Sequence, residues 1–172
     1  MVQRDKKFIP HVLAVGVGST VDFPNFDPIF NNAFSNFSGQ PFDTGLYPPG
    51  SSHKILFRRD GIVRLFCNIH SSMSAVILVL KTPYYAVSGS DGTLRIEGVK
   101  PGEYQLRVWH ERAAAATLQA LETNIRVESG NLELPPLRIS ESGYLEVPHK
   151  NKYGEEYPPE GAGYSLGPGA RP

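Results

Sequence analysis

The amino-acid sequence predicts an all-β protein with two small β-sandwich domains followed by an extended tail. Short segments that alternate apolar and polar residues recur at intervals of about ten residues, which is typical of sandwiches. Glycine (17 residues) and proline (15 residues) are frequent between these segments, as tight turns require. A length of 172 residues suits two small domains. We therefore divide the chain into domains at 1–81 and 82–140, and a tail at 141–172.

The first domain shows strand patterns at five places. Residues 20–23 alternate polar and apolar side chains, which is the period of a half-buried strand. Residues 75–80 are continuously apolar and rich in β-branched side chains, so we predict a buried strand there. The remaining strands are predicted at 8–17, 54–57 and 62–67.

The second domain is predicted as a hairpin series. Ser90-Asp91-Gly92, Pro101-Gly102 and Ser129-Gly130-Asn131 are turn signals. Between them, apolar residues alternate with polar ones, and we predict strands over 84–87, 94–99, 104–109 and 123–139. Residues 111–122 are predicted as a helical turn or a linker.

The tail differs in composition, with six glycines, five prolines and four tyrosines in residues 141–172. Such a segment cannot bury a core of its own and is expected to be disordered in isolation. Two ways of ordering it remain open, namely docking on a partner protein and packing back on its own domains.

Composition excludes several classes of function. Seventeen basic and seventeen acidic residues give no net charge, and no basic face for nucleic acid is evident. A single cysteine rules out an intrachain disulfide. No apolar run reaches the length of a membrane span, and the first residues lack the apolar segment of a signal peptide.

The strongest local signal is the spacing Cys67-x-x-His70-x-x-Met73, directly after a predicted strand. A blue-copper site uses a soft thiolate, two imidazoles and a weak axial thioether. One short loop between two strands can deliver three of these four ligands. The second imidazole has to come from elsewhere in the chain.

These residues resemble a known family. Phe8-Ile9-Pro10-His11, the segment 18–25 and Cys67-Asn68-Ile69-His70-Ser71-Ser72-Met73 are similar to plastocyanin-type cupredoxins, above all to periplasmic proteins of the methylamine-utilisation type. The segment 91–110 resembles the carboxypeptidase-regulatory-like sandwich that follows in that family. The resemblance covers about residues 2–140. It implies a cupredoxin-like Greek-key sandwich, an immunoglobulin/transthyretin-like sandwich, and export to the periplasm through a leader absent from this sequence.

The sequence departs from the family at one ligand. Where the family has its first copper histidine, in a segment like Asp-Pro-Ile-Phe-His-Asn, this chain reads Asp27-Pro28-Ile29-Phe30-Asn31-Asn32. An amide oxygen is a hard, weak donor for copper. We therefore predict a degenerate site, with Cys67, His70 and Met73 as candidate ligands that hold no metal, and copper as the alternative.

Each candidate residue also has a structural interpretation. Cys67 can be a small buried apolar residue, His70 can bond a backbone group, and Met73 can fill the core. His11 is the one histidine weighed as a substitute ligand. His53, His110 and His149 are expected to be surface or structural residues.

Function is predicted from these points as non-enzymatic. A Cys–His pair three residues apart has neither an orienting third group nor an oxyanion motif, and no P-loop, dinucleotide or hydrolase motif occurs. The first hypothesis is a structural or interaction subunit of a membrane-bound electron-transfer complex, respiratory or photosynthetic, with tail 141–172 docking on a partner. The alternative is an electron-transfer or Cu(I)-handling protein that uses Cys67, His70 and Met73.

Overall fold

Strands dominate the computed structural model, which describes residues 1–36, 39–145 and 148–158. Residues 37, 38, 146, 147 and 159–172 lie outside this description, and with them parts of the predicted tail, including Tyr164. The described elements are β1 (Val2–Arg4), β2 (Lys7–Ile9), β3 (Val12–Gly16), β4 (Thr20–Pro24), β5 (Phe34–Ser35), β6 (Phe42–Asp43), β7 (Ser52–Leu56), β8 (Gly61–Phe66), β9 (Ser74–Leu80), β10 (Gly102–Leu106), α1 (Ala115–Ala120) and β11 (Thr123–Val127). The predicted all-β class is confirmed.

The chain forms two compact units. The first contains Met1–Leu94 together with the segment that begins at His149, and the second is Arg95–Pro148. The described part of the segment after His149 therefore belongs to the first unit. No helix among the described residues has the length and apolar character needed to cross a bilayer.

The first unit is built on a five-stranded sheet in the order β3-β9-β8-β5-β6. Strands β3 and β9 pair in parallel, and the other pairs are antiparallel. Two further pairs, β4-β7 and β1-β2, are separate antiparallel ribbons. The continuous apolar run at 75–80 falls in β9 and is mostly buried, as predicted.

The core of the first unit lies between these sheets. Buried residues alternate along β4, because side chains on a strand alternate between faces, whereas β9 buries most of its residues. One cluster joins side chains from β2, β4, β8 and β9 with four residues of loops: Phe8, Val21, Phe23, Ala33, Phe57, Val63, Leu65, Cys67, Met73, Ala75, Ile77 and Val79. The cluster reaches the hairpin between β8 and β9, where Cys67 and Met73 belong to it.

The second unit is simpler than the sequence predicted. Strands β10 and β11 pair antiparallel from Gly102–Val127 to Leu106–Thr123, and α1 lies between them in the chain. Of the other strands predicted for the second domain, none forms within the described residues at 84–87, which belong to the first unit, or at 94–99 and 132–139. Alternation marks which faces are apolar, but a strand also needs a paired neighbour, and these segments have none. The predicted sandwich over 82–140 thus stays a prediction.

Candidate metal centre

The candidate ligands lie on the hairpin that connects β8 to β9. Phe66 and Ser74 are the last paired residues, so residues 67–73 form the loop between them. The Cys67 amide donates to the Met73 carbonyl (3.2 Å), and the Met73 amide donates to the His70 carbonyl (3.1 Å). These two bonds close the loop and bring the backbones of the three predicted ligands together.

Cys67 and His70 face each other in this loop. The Sγ atom of Cys67 lies 3.6 Å from Nδ1 of His70. Two ligands that share one metal ion, at bond lengths of about 2.3 Å to sulfur and about 2.0 Å to nitrogen, are about 3.5–3.7 Å apart at tetrahedral to trigonal angles. The thiol and the imidazole are thus within hydrogen-bonding distance of each other, and the same spacing is compatible with two ligands of one metal.

Burial sets the protonation of both groups. Cys67 is fully buried, and this burial raises the pKa of its thiol. Backbone amides of Ile69, Asn32 and His70 donate to the sulfur and oppose that rise. For His70, burial lowers the pKa of the imidazole, the charge of Lys6 lowers it further, and Asp27 opposes both. At neutral pH the metal-free pair is a thiol and a neutral imidazole.

Met73 is a core residue as well as a candidate ligand. Its side chain is fully buried in the same cluster as Cys67. The structural interpretation of Met73 as a core filler and the ligand interpretation are therefore compatible, since a thioether can both pack and coordinate.

Asn31 is buried in a polar cluster. Its amide nitrogen donates to Oδ1 of Asn25 (3.0 Å) and to Oδ2 of Asp27 (2.8 Å). Its backbone forms an isolated bridge with Tyr47. The Oδ1 atom of Asn31 is buried and accepts no hydrogen bond from a described residue. A buried acceptor without a donor is costly.

Asn32 ties the Asn31 segment to the ligand loop. Its backbone amide donates to the sulfur of Cys67, and its side-chain oxygen accepts the Asn68 amide. Its side-chain nitrogen donates to Asp43 at 3.1 Å. Sequence analysis did not identify Asn32 or Asp27 as site residues, although both flank Asn31 in the segment that resembles the family.

The other histidines do not supply the missing imidazole. Nδ1 of His11 bonds the Ser74 carbonyl at 3.1 Å, and the His53 ring packs on Tyr47. His110 lies in the second unit, beside Glu141. His149 stacks on Phe66, with ring centroids 4.1 Å apart.

His149 lies near the ligand loop, on the face of the sheet opposite to the Cys67 thiol. Val63, Leu65 and Cys67 share the inward face of β8 and its extension, and Phe66 lies on the opposite face because successive residues alternate. His149 therefore packs behind the thiol. Among the described residues, no three His, Cys, Asp or Glu side chains gather into one group, so methionine or an amide would have to complete any site.

Comparison with solved structures finds copper proteins. A copper-containing nitrite reductase from Thermus scotoductus SA-01 is 28% identical over 47% of this chain and 22% of its own, with a TM-score of 0.45. A purple cupredoxin from Nitrosopumilus maritimus is 25% identical over 41% of this chain and 79% of its own, with a TM-score of 0.39. Amicyanin in its reduced Cu(I) form is 18% identical over 46% of this chain and 78% of its own, with a TM-score of 0.44.

These likenesses are partial. Each covers less than half of this chain, and this chain spans about a fifth of the nitrite reductase. No protein-family model and no curated protein matches the sequence. The structural neighbours are thus cupredoxins and a related copper enzyme.

Proposed function

We propose that the first unit binds copper as Cu(I) through Cys67, His70 and Met73, in a non-enzymatic protein of the periplasm. The observation that supports this most directly is the 3.6 Å separation of the Cys67 sulfur and the His70 nitrogen. The donor set itself supports Cu(I), because thiolate and thioether are soft ligands. The periplasmic location rests on the family resemblance.

Each residue of the proposed site would have a separate role in binding the metal. Cys67 loses its proton to bind as thiolate, His70 binds as the neutral imidazole that its lowered pKa favours, and Met73 adds a thioether. The backbone amides on the sulfur orient the thiolate and spread its charge. Copper, when bound in such a site, supplies one-electron chemistry between Cu(I) and Cu(II).

A non-enzymatic role agrees with the state of the thiol. Reactive cysteines have lowered pKa values and partial exposure, whereas burial raises the pKa of Cys67. No carboxylate among the described residues hydrogen-bonds to His70 as the orienting group of a catalytic pair would.

Anaerobic titration with Cu(I) against a competing chelator tests the proposal. We expect one equivalent bound by the unmodified protein and loss of that site in Cys67→Ala, which removes the one cysteine of the chain. His53→Gln changes an exposed histidine outside the loop and serves as the matched control. Binding that survives Cys67→Ala, or no binding by the unmodified protein, would refute the proposed site.

A second candidate function is a structural or interaction subunit of a membrane-bound electron-transfer complex, respiratory or photosynthetic, whose site holds no metal. Two observations favour it. Asn31 stands where an imidazole ligand is expected, and the segment just before it exposes the apolar side chains of Phe26 (53%), Ile29 (37%) and Phe30 (53%). Exposed aromatic residues that cluster on one loop are typical of interfaces.

This candidate has a separate test on the native assembly. We expect Phe30→Ser to release the protein from its membrane complex, with Val17→Ser, another exposed apolar residue of the first unit, as control. Removing residues 141–172 is also expected to weaken assembly if the tail docks on a partner. The candidate would be eliminated if Phe30→Ser and the variant without residues 141–172 both stayed in the complex and the native protein held one equivalent of copper.

A further inference from the structure

The segment 149–158, which we call the strap, packs against the ligand loop of its own unit. The Tyr157 hydroxyl donates to the carbonyl of Cys67 at 2.7 Å. The Lys152 backbone amide donates to the side-chain oxygen of Asn68 at 3.0 Å. Two consecutive residues of the ligand loop are therefore held by strap residues more than eighty positions later in the chain.

An ion pair anchors the strap beside this contact. Nζ of Lys152 lies 2.7 Å from Oδ2 of Asp43 on β6. Asp43 also accepts from the side chain of Asn32, whose side-chain oxygen accepts the Asn68 amide. One connected network thus runs from Lys152 through Asp43 and Asn32 to Asn68 beside Cys67, without passing through the Tyr157 bond.

His149 fixes the direction of the Tyr157 hydroxyl. The Tyr157 oxygen is 3.1 Å from Nδ1 of His149, and its one proton is donated to the Cys67 carbonyl. Nδ1 of His149 must then carry the proton of this second bond and donate it to the tyrosine oxygen. The His149 ring is itself held on Phe66 at a centroid distance of 4.1 Å.

We infer that the strap is a positioning element of the metal site, coupled to copper binding through Tyr157–Cys67 and Lys152–Asn68. The inference rests on the proposed function. The strap makes these bonds to the loop in the conformation that places Cys67 and His70 3.6 Å apart. Copper held by Cys67, His70 and Met73 stabilises the same conformation. Each event therefore favours the other, and the coupling is reciprocal.

The first test needs no metal and measures how often the loop opens. Reaction of the buried Cys67 thiol with an aromatic disulfide requires local opening. We expect Tyr157→Phe, which removes only the hydroxyl, to speed this reaction about tenfold, equivalent to about 1.4 kcal/mol of opening free energy. Tyr85→Phe makes the same chemical change at a hydroxyl that bonds no described residue of the chain, and should leave the rate unchanged.

A second pair of variants separates the role of His149 from simple packing. His149→Asn keeps a side-chain N–H donor near the position of Nδ1, whereas His149→Leu keeps apolar bulk and loses the donor. We expect the asparagine variant to react more slowly than the leucine variant. A rate in Tyr157→Phe equal to that of Tyr85→Phe would overturn the inference, whether or not the protein binds copper.

The reciprocal test uses Cu(I) as the probe. We expect one equivalent of Cu(I) to slow proteolysis of the strap in the unmodified protein, and Tyr157→Phe to lower Cu(I) affinity about tenfold. A protein that binds Cu(I) with unchanged strap proteolysis would overturn the coupling. A protein that binds no Cu(I), yet shows the tenfold change in thiol reactivity, would refute the proposed function and leave the strap as a purely structural clamp on the loop.

Discussion

The side-chain nitrogen of Asn31 donates a 2.8 Å hydrogen bond to the carboxylate of Asp27. Because the other neighbour, Oδ1 of Asn25, is also an acceptor, the amide nitrogen has to face both of them. The Asn31 oxygen is left on the other side, buried and without a donor among the described residues. Asn31 is therefore oriented by its surroundings, at the position where the family resemblance implies a histidine ligand.

Asn31→His is expected to convert the site towards a blue-copper centre. An added imidazole completes the set of one thiolate, two imidazoles and one thioether. After Cu(II) is added, we expect a strong visible thiolate-to-copper band that the unmodified protein lacks. Asn31→Gln, which supplies no imidazole, is the control. A folded histidine variant that stays colourless with Cu(II) would argue against a cupredoxin-type site.

Met73→Leu is expected to separate the packing role of Met73 from its ligand role. Leucine keeps the volume of a fully buried side chain, so the unfolding free energy should fall by less than about 1.5 kcal/mol. Met73→Ala leaves a cavity and should cost about 2–5 kcal/mol. Denaturant unfolding measures both values.

The same pair of variants reports on copper. If the thioether is a ligand, Met73→Leu weakens Cu(I) binding although the protein is nearly as stable as before. Equal Cu(I) affinity in Met73→Leu and the unmodified protein would restrict the site to Cys67 and His70.

Alkaline pH is expected to destabilise the metal-free protein through Cys67. Burial raises the thiol pKa in the folded state above its ordinary value of 9.0, so the unfolded chain loses this proton first. The stabilising contribution is complete below pH 9.0 and is lost as pH rises through the folded pKa. We expect the unfolding free energy to fall more steeply above pH 9.0 in the unmodified protein than in Cys67→Ala.

Tyr47 also contributes to the alkaline loss of stability. Burial raises the pKa of its phenol and Cys67 raises it further, so Cys67→Ala also changes the titration of Tyr47. The difference between the two pH profiles therefore reports Cys67 together with its effect on Tyr47. Parallel profiles above pH 9.0 would show that the thiol is not desolvated as the structure places it.

Gly39→Ala is expected to destabilise the first unit near the start of β8. A Cβ atom at Gly39 would lie 2.7 Å from the Ile62 carbonyl oxygen, which is backbone and cannot turn away. We expect a loss of about 1–3 kcal/mol, as for other overpacked sites. Gly16→Ala on β3 is the control, because its nearest contact is the Ser19 hydroxyl at 3.9 Å. Equal melting temperatures for the two variants would contradict the close approach.

Local patterns predicted the strands of the first unit well. The alternation at 20–23 and the apolar run at 75–80 became β4 and β9, because each has a neighbour to pair with and a core to face. The predicted strand at 8–17 is divided into β2 and β3. Similar patterns at 84–87 in the first unit and at 132–139 in the second did not become strands, since periodicity says nothing about which partner a strand will find.

The candidate site was predicted in part. The spacing of Cys67, His70 and Met73 located the loop, in which the Cys67 sulfur lies 3.6 Å from Nδ1 of His70, and the role of these residues as ligands stays a prediction. The strap was not predicted. The bond between Tyr157 and Cys67 joins positions ninety residues apart, and a single long-range bond produces no repeating pattern in the sequence. That the described tail packs on its own unit was one of two open alternatives. Whether the remaining tail docks on a partner stays a prediction.

The parallel pairing of β3 with β9 determines the order in which the chain can assemble. Val12–Gly16 finds its partner more than sixty positions later in the chain. The hairpin that carries Cys67 closes within residues 61–80, whereas the strap that holds it begins at 149. Contacts of short sequence separation form before those of long separation, so we expect the thiol loop to be in place before the strap clamps it.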